Sequence, residues 1–139
     1  MSREILMQKE ILKHLKEKIN DPSLNFYEIF IPEPGLVEKG KSDSIFPFIL
    51  IRPGKSKRQG YFKRREFELL VAVKSDNDSE GITKIFNLSE EISKILEETP
   101  TKNNAYTLDP TTIVEDFDAE DCGENVWGTR IKFQSDIPK

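Results

Sequence analysis

The chain has 139 residues, the size of one ordinary domain, and a single domain over residues 1–139 is expected. Apolar residues make up 36%, about 41% with glycine included, below the ~45–50% usual for globular chains, which points to a thin core of one sheet with helices on one face. Charged residues reach 33%, yet 21 Lys and Arg stand against 25 Asp and Glu, so no chain-wide field draws the protein to nucleic acid or to an anionic membrane.

Cys122 is the only cysteine, which excludes an internal disulfide framework and a zinc site built from cysteines, and fits a reducing setting inside a cell. The opening Met-Ser-Arg-Glu has no apolar core of a signal peptide, and no run of ~20 apolar residues follows. The expectation is a protein neither secreted by that route nor spanning a membrane.

In chain order, Ile5, Leu12, Leu15 and Ile19 recur at helical spacing and predict an amphipathic helix over Ser2–Asn20, stopped at Asp21-Pro22. Asn25–Ile31, rich in aromatic and β-branched residues and cut by Pro32 and Pro34-Gly35, predicts a first strand. Residues 33–44 read as a long exposed loop. Phe46–Ile51 is a continuous apolar run with Pro47 at its start, a second strand, and Pro53–Gly60 reads as a polar loop after it. Phe67, Leu69, Val71 and Val73 then alternate with Glu66, Glu68, Leu70, Ala72 and Lys74, a third strand pairing antiparallel with the second.

Asp76-Asn77-Asp78-Ser79 offers N-cap oxygens for a second helix over Ser79–Glu98, whose apolar stripe is Ile82, Ile85, Phe86, Ser89, Ile92, Ile95 and Leu96. Ala105–Leu108 predicts a short strand broken by Asp109-Pro110, with Ile113-Val114 resuming it. Trp127, Thr129, Ile131 and Phe133 alternate with polar neighbours as a closing strand. Strands joined by short loops favour antiparallel neighbours. The predicted fold is therefore α+β: a mostly antiparallel sheet of four to five strands with two helices packed on one face, in the order α-β-β-β-α-β-β.

No catalytic, cofactor-binding or metal-binding set emerges, and no enzyme activity is expected. His14, the sole histidine, reads as an ordinary surface residue with no Ser or Cys placed to use it. Cys122 lies between Glu120-Asp121 and Gly123-Glu124, whose carboxylates raise a thiol pKa instead of activating it. The acidic stretch Glu115, Asp116, Asp118, Glu120, Asp121 and Glu124 lacks the ligand spacing of a calcium loop and reads as a solvated loop. Gly54 and Gly60 fit no phosphate loop and read as turn residues.

The most asymmetric feature is the basic run Arg52, Lys55, Lys57, Arg58, Lys63, Arg64 and Arg65, interrupted by Tyr61 and Phe62 and offset by Glu66. Aromatic residues among cations suit phosphates and stacked bases. A hairpin loop docking on an acidic protein surface has the same composition, and that reading is favoured. The basic loop and the acidic contact segment 115–124 also carry opposite charge, so they could meet between neighbouring copies in a ring.

Pro47-Phe48-Ile49-Leu50-Ile51-Arg52-Pro53-Gly54, Leu70-Val71-Ala72-Val73 with Ser75-Asp76, and Gly81-Ile82-Thr83-Lys84-Ile85-Phe86-Asn87-Leu88 follow one another in order. Tyr106-Thr107-Leu108, Trp127-Gly128 and Ile137-Pro138 complete a pattern over roughly residues 45 to 138 that resembles the phage and prophage tail-completion, or tail-terminator, proteins. The resemblance implies an α+β structural subunit, without cofactor or catalysis, that assembles as a homo-oligomeric ring, commonly a hexamer. It implies a tail-tube protein and a head–tail connector or neck protein as partners, with no membrane. It implies assembly in the bacterial host cytoplasm and a final place in the virion at the head–tail junction. Two alternatives stay open at this point: a head-completion or minor capsid protein at the same junction, and a nucleic-acid-binding accessory protein using the 52–65 loop.

Overall fold

The computed structural model describes residues 3–28, 45–60, 62–98, 101–102, 106–117 and 125–138. Its elements are α1 (Arg3–Ile19), β1 (Asn25–Glu28), β2 (Phe48–Gln59), β3 (Phe62–Lys74), α2 (Asp78–Glu98), β4 (Thr101–Lys102), β5 (Tyr106–Phe117) and β6 (Val126–Pro138). The sheet order is β1-β2-β3-β6-β5-β4, and both helices pack on the same face. The fold is α+β with a mostly antiparallel sheet. It carries one element more than the seven expected, the two-residue β4 paired with Tyr106 and Thr107.

Each helix is bounded by its local chemistry. Asn20 ends α1 in the left-handed region (φ 50°) and returns its N–H to the Lys16 carbonyl at 3.1 Å, a C-cap that asparagine tolerates. Asp21 then accepts from the Ser23 backbone N–H at 2.9 Å and from its hydroxyl, turning the chain toward β1. Asn77 caps α2, its side-chain oxygen accepting from the Glu80 N–H at 3.0 Å.

The core lies between the helices and one sheet face. From α1 come Met7, Ile11, Leu12 and Leu15, from α2 Ile85, Ile92 and Leu96, and from the strands Ile49, Ile51, Phe67, Leu69, Val71, Ile131 and Phe133. Each fully buried side chain of this size contributes roughly 1.5–3 kcal/mol. Phe67 and Phe133 face each other across β3 and β6 with ring centroids 5.8 Å apart, at the centre of the sheet. The opposite face carries a smaller apolar group, Phe48, Leu50 and Ala72 with Tyr27, Phe46, Leu70 and Val126 beside them.

Several expectations are corrected. β1 pairs with β2 in parallel, Asn25 opposite Phe48 through Glu28 opposite Ile51; residues 29–47 join them, long enough for a crossover. The rest of the expected first strand and the whole of the expected 33–44 loop lie outside the described residues. Pro53–Gly60 is no loop, because β2 continues to Gln59 and stays paired with β3 past an irregularity between Pro53 and Ser56. Gly60 (φ 57°) makes the hairpin turn, while Gly54 sits in that irregularity, where a Cβ would come 2.9 Å from Glu66 Oε1. At Asp109-Pro110 the expectation holds: pairing with β6 is interrupted after Asp109 and resumes at Val114, within the one strand β5. Inside the gap, the Thr112 hydroxyl accepts the Gln134 N–H at 2.8 Å.

His14 is buried, 1% exposed, and not a surface residue. It continues the stripe Met7, Ile11, Leu15 on the inward side of α1, and that spacing was the cue available in the chain. Phe86 is the reverse case: counted with the apolar stripe of α2, it is 52% exposed.

Candidate functional site

The seven basic residues stand on a two-stranded ribbon, not on a loop. Arg52, Lys55, Lys57 and Arg58 belong to β2; Lys63, Arg64 and Arg65 belong to β3. Strand alternation splits them between two faces. Arg65 and Lys63 point to the helix side, where both reach Glu4 at the start of α1, at 3.6 and 2.8 Å. The hydrogen bond from Lys63, reinforced by both positive charges, holds the Glu4 carboxyl below its ordinary pKa.

Arg64 points to the helix-free face. It forms a two-pronged pair with Asp136 at 2.8 and 3.1 Å and reaches Asp109 at 3.4 Å. Its hydrogen bond to Asp136 raises its pKa, while Asp109 is lowered first by the Thr111 hydroxyl and then by the Thr111 N–H, with Arg64 adding to the effect. On the same face Arg52 donates to both oxygens of Glu68 at 3.3 and 3.4 Å, and Arg130 lies 2.5 Å from Glu68 on its other side.

Four of the seven cations are therefore spent inside the subunit. Lys55, Lys57 and Arg58 are exposed and form no ion pair among the described residues. All three lie on the part of β2 beyond the reach of β1, which pairs only Phe48–Ile51. The outer edge of Arg52–Gln59 is thus without a strand partner among the described residues, and its free charge is positive.

The acidic segment is also only partly a loop. Glu115 and Asp116 are exposed residues of β5, paired through Ile131 and Arg130 of β6; Asp118, Glu120, Asp121, Glu124 and Cys122 lie outside the described residues. Glu115 faces the helix side and accepts a hydrogen bond from Ser93 of α2, while Asp116 faces the other way and its backbone carbonyl accepts from Thr129 Oγ1 at 3.0 Å. β4 covers only Tyr106 and Thr107, so Val114–Phe117 has an open outer edge among the described residues. Beside it Phe86 and Phe117 stack with centroids 5.1 Å apart, both largely exposed.

Among the described residues, β2 and β5 thus each leave part of an outer edge open, of opposite charge and on opposite sides of the sheet. Such edges present unpaired N–H and C=O groups and bind strands unless protected. At the far end of the sheet an open groove of about 870 Å³ is lined by Asp21, Leu24, Phe46, Lys74, Lys84 and Asn87, with charges of both signs. Among the described residues no three His, Cys, Asp or Glu side chains are grouped to hold a metal, and no helix is long and apolar enough to cross a membrane. No family model and no curated protein matches the chain.

Proposed function

We propose that this protein is a structural subunit of a phage or prophage tail, a ring that caps the head-proximal end of the tail tube and joins the tail to the head–neck. In this reading it is not an enzyme. Its partners are other copies of itself, the tail-tube protein and a connector or neck protein. The observation that carries the reading is the pair of oppositely charged strand edges that are open among the described residues of one subunit, since heterologous surfaces of this kind generate rings when the rotation closes. The resemblance in sequence supports it, and the segments that bear that resemblance fall in the first half of β2, the end of β3, the first half of α2, the start of β5 and both ends of β6.

The test is a tube-capping assay. Purified protein is added to polymerised tail-tube protein of the same virion, and tube ends are imaged by negative-stain electron microscopy. Ring-shaped density at one end of each tube, with elongation halted, is the expected result. Free tube ends and unchanged elongation at saturating protein would refute the reading.

A further inference from the structure

We infer that the outer edge of β2 in one copy pairs antiparallel with the outer edge of β5 in the next, in a register that sets Lys57 opposite Asp116 and Arg58 opposite Glu115. The inference rests on the ring reading above and names the surface that would build the ring.

Strand direction comes first. β2, β3, β6 and β5 alternate in direction across the sheet, so a neighbour in the same orientation brings its β2 antiparallel to β5. Beyond their irregularities, the regular open segments are Ser56–Gln59 on β2 and Val114–Phe117 on β5, four residues each. Laying them fully against one another gives a single antiparallel alignment: Ser56 with Phe117, Lys57 with Asp116, Arg58 with Glu115, Gln59 with Val114.

Side-chain direction agrees with that alignment. Lys57 shares a row with Arg64 and Asp136 on the helix-free face, and Asp116 shares one with Arg130 on the same face. Arg58 shares a row with Lys63 and the buried Ile137 on the helix face, where Glu115 also points. A shift by one residue would set each cation on the opposite face from its acid. In the matched register both pairs are cross-strand neighbours of opposite charge.

Charge also selects against the alternatives. Two β2 edges would bring Lys57 and Arg58 against their own kind, and two β5 edges would do the same with Glu115 and Asp116, so only the head-to-tail pairing is favourable. Apolar exposure marks the same place. Of the large hydrophobic residues left exposed among the described residues, Phe86, Val114 and Phe117 lie on or beside the β5 edge, with Leu6 elsewhere.

The offset avoids obstruction among the described residues. Lys57 is level with Asp136 and Asp116 with Arg130, six positions apart on β6, so the next copy slides by about 20 Å along the strands. The slide clears β1 and β4, and over the ~19 Å width of four strands it corresponds to a slope of about 45°, the upper end of strand tilt in closed barrels.

The test uses the full chain in a Cys122→Ser background. Lys57→Cys combined with Asp116→Cys should form a disulfide-linked ladder of monomer, dimer, trimer and higher species under mild oxidation, because directly opposed strand residues are within disulfide reach. Each single-cysteine variant should stop at a poor yield of dimer. In parallel, the Lys57→Glu/Arg58→Glu and Glu115→Lys/Asp116→Lys proteins should each need about tenfold or more higher concentration to assemble, by light scattering, and an equimolar mixture of the two should recover assembly. Circular dichroism confirms that each variant is folded. Rings that form as readily in both reversed proteins, with no ladder, overturn the edge pairing and leave the ring reading standing. A protein that stays monomeric at every concentration and gives no ladder also overturns the pairing, and the tube-capping assay then decides the function separately.

Discussion

Gly81 near the start of α2 lies directly against the indole of Trp127 at the start of β6, so close that a Cβ at Gly81 would overlap the ring. Trp127 Nε1 in turn donates to the Ser75 carbonyl at 3.3 Å, in the turn leading into α2. The contact seats the helix N-terminus on the last strand. Gly81→Ala, ordinarily favourable within a helix, should here lower stability by about 1–3 kcal/mol through overpacking. Urea denaturation measures the loss, and combining it with Trp127→Leu should recover part of it by making room. An unchanged or raised midpoint for Gly81→Ala would contradict the close packing.

Glu68 is 9% exposed and lies between Arg52 and Arg130 on the helix-free face. Its removal leaves two guanidinium groups facing each other without the carboxylate between them. Because both arginines remain about 40% exposed, solvent screens part of the loss. Glu68→Ala is expected to cost about 1–2 kcal/mol in chemical denaturation, and replacing Arg52 or Arg130 alone less than that.

Acid should loosen the ribbon from α1. The folded-state pKa of Glu4 is lowered, first by the Lys63 hydrogen bond, so its contribution is present above the ordinary carboxylate pKa and is lost as pH falls through the folded value. Asp109, lowered by Thr111 and Arg64, titrates with the same sign. Stability measured from pH 7 downward should therefore fall through and below the usual carboxylate range. In Glu4→Gln the fall should be shallower; an identical pH profile would show that Glu4 is not linked to folding.

Nucleic-acid affinity should be weak and limited by charge already spent. With Arg52, Lys63, Arg64 and Arg65 paired internally, Lys55, Lys57 and Arg58 remain for phosphates. A slope of log affinity against log salt no steeper than about −3 is expected for duplex DNA by fluorescence anisotropy. A markedly steeper slope would favour the nucleic-acid reading. Arg64 is a poor probe for it, since reversing its charge also breaks the pairs to Asp136 and Asp109.

The sequence by itself determined the two helices, the antiparallel centre and the α+β class, because apolar periods of 3.6 and 2 mark which residues face inward, and both helices and β3 show them plainly in Ile85, Ile92 and Leu96 and in Phe67, Leu69 and Val71. It also marked the opposite charges of the two candidate segments. It did not reveal that Lys55–Gln59 is strand: a polar run carries no apolar alternation, and Ser56–Gln59 are held by backbone pairing to β3. Nor did it separate Lys57 and Arg58 from Arg64 and Arg65, which share a composition but differ in whether Glu4, Asp109 and Asp136 come within reach. The burial of His14, by contrast, was legible, since it stands three residues after Ile11 and seven after Met7 on the inward stripe of α1. The parallel β1, the opening of the β2 and β5 edges on opposite sides of the subunit and the facing of their charges follow from strand order, a property of long-range pairing that local patterns do not encode.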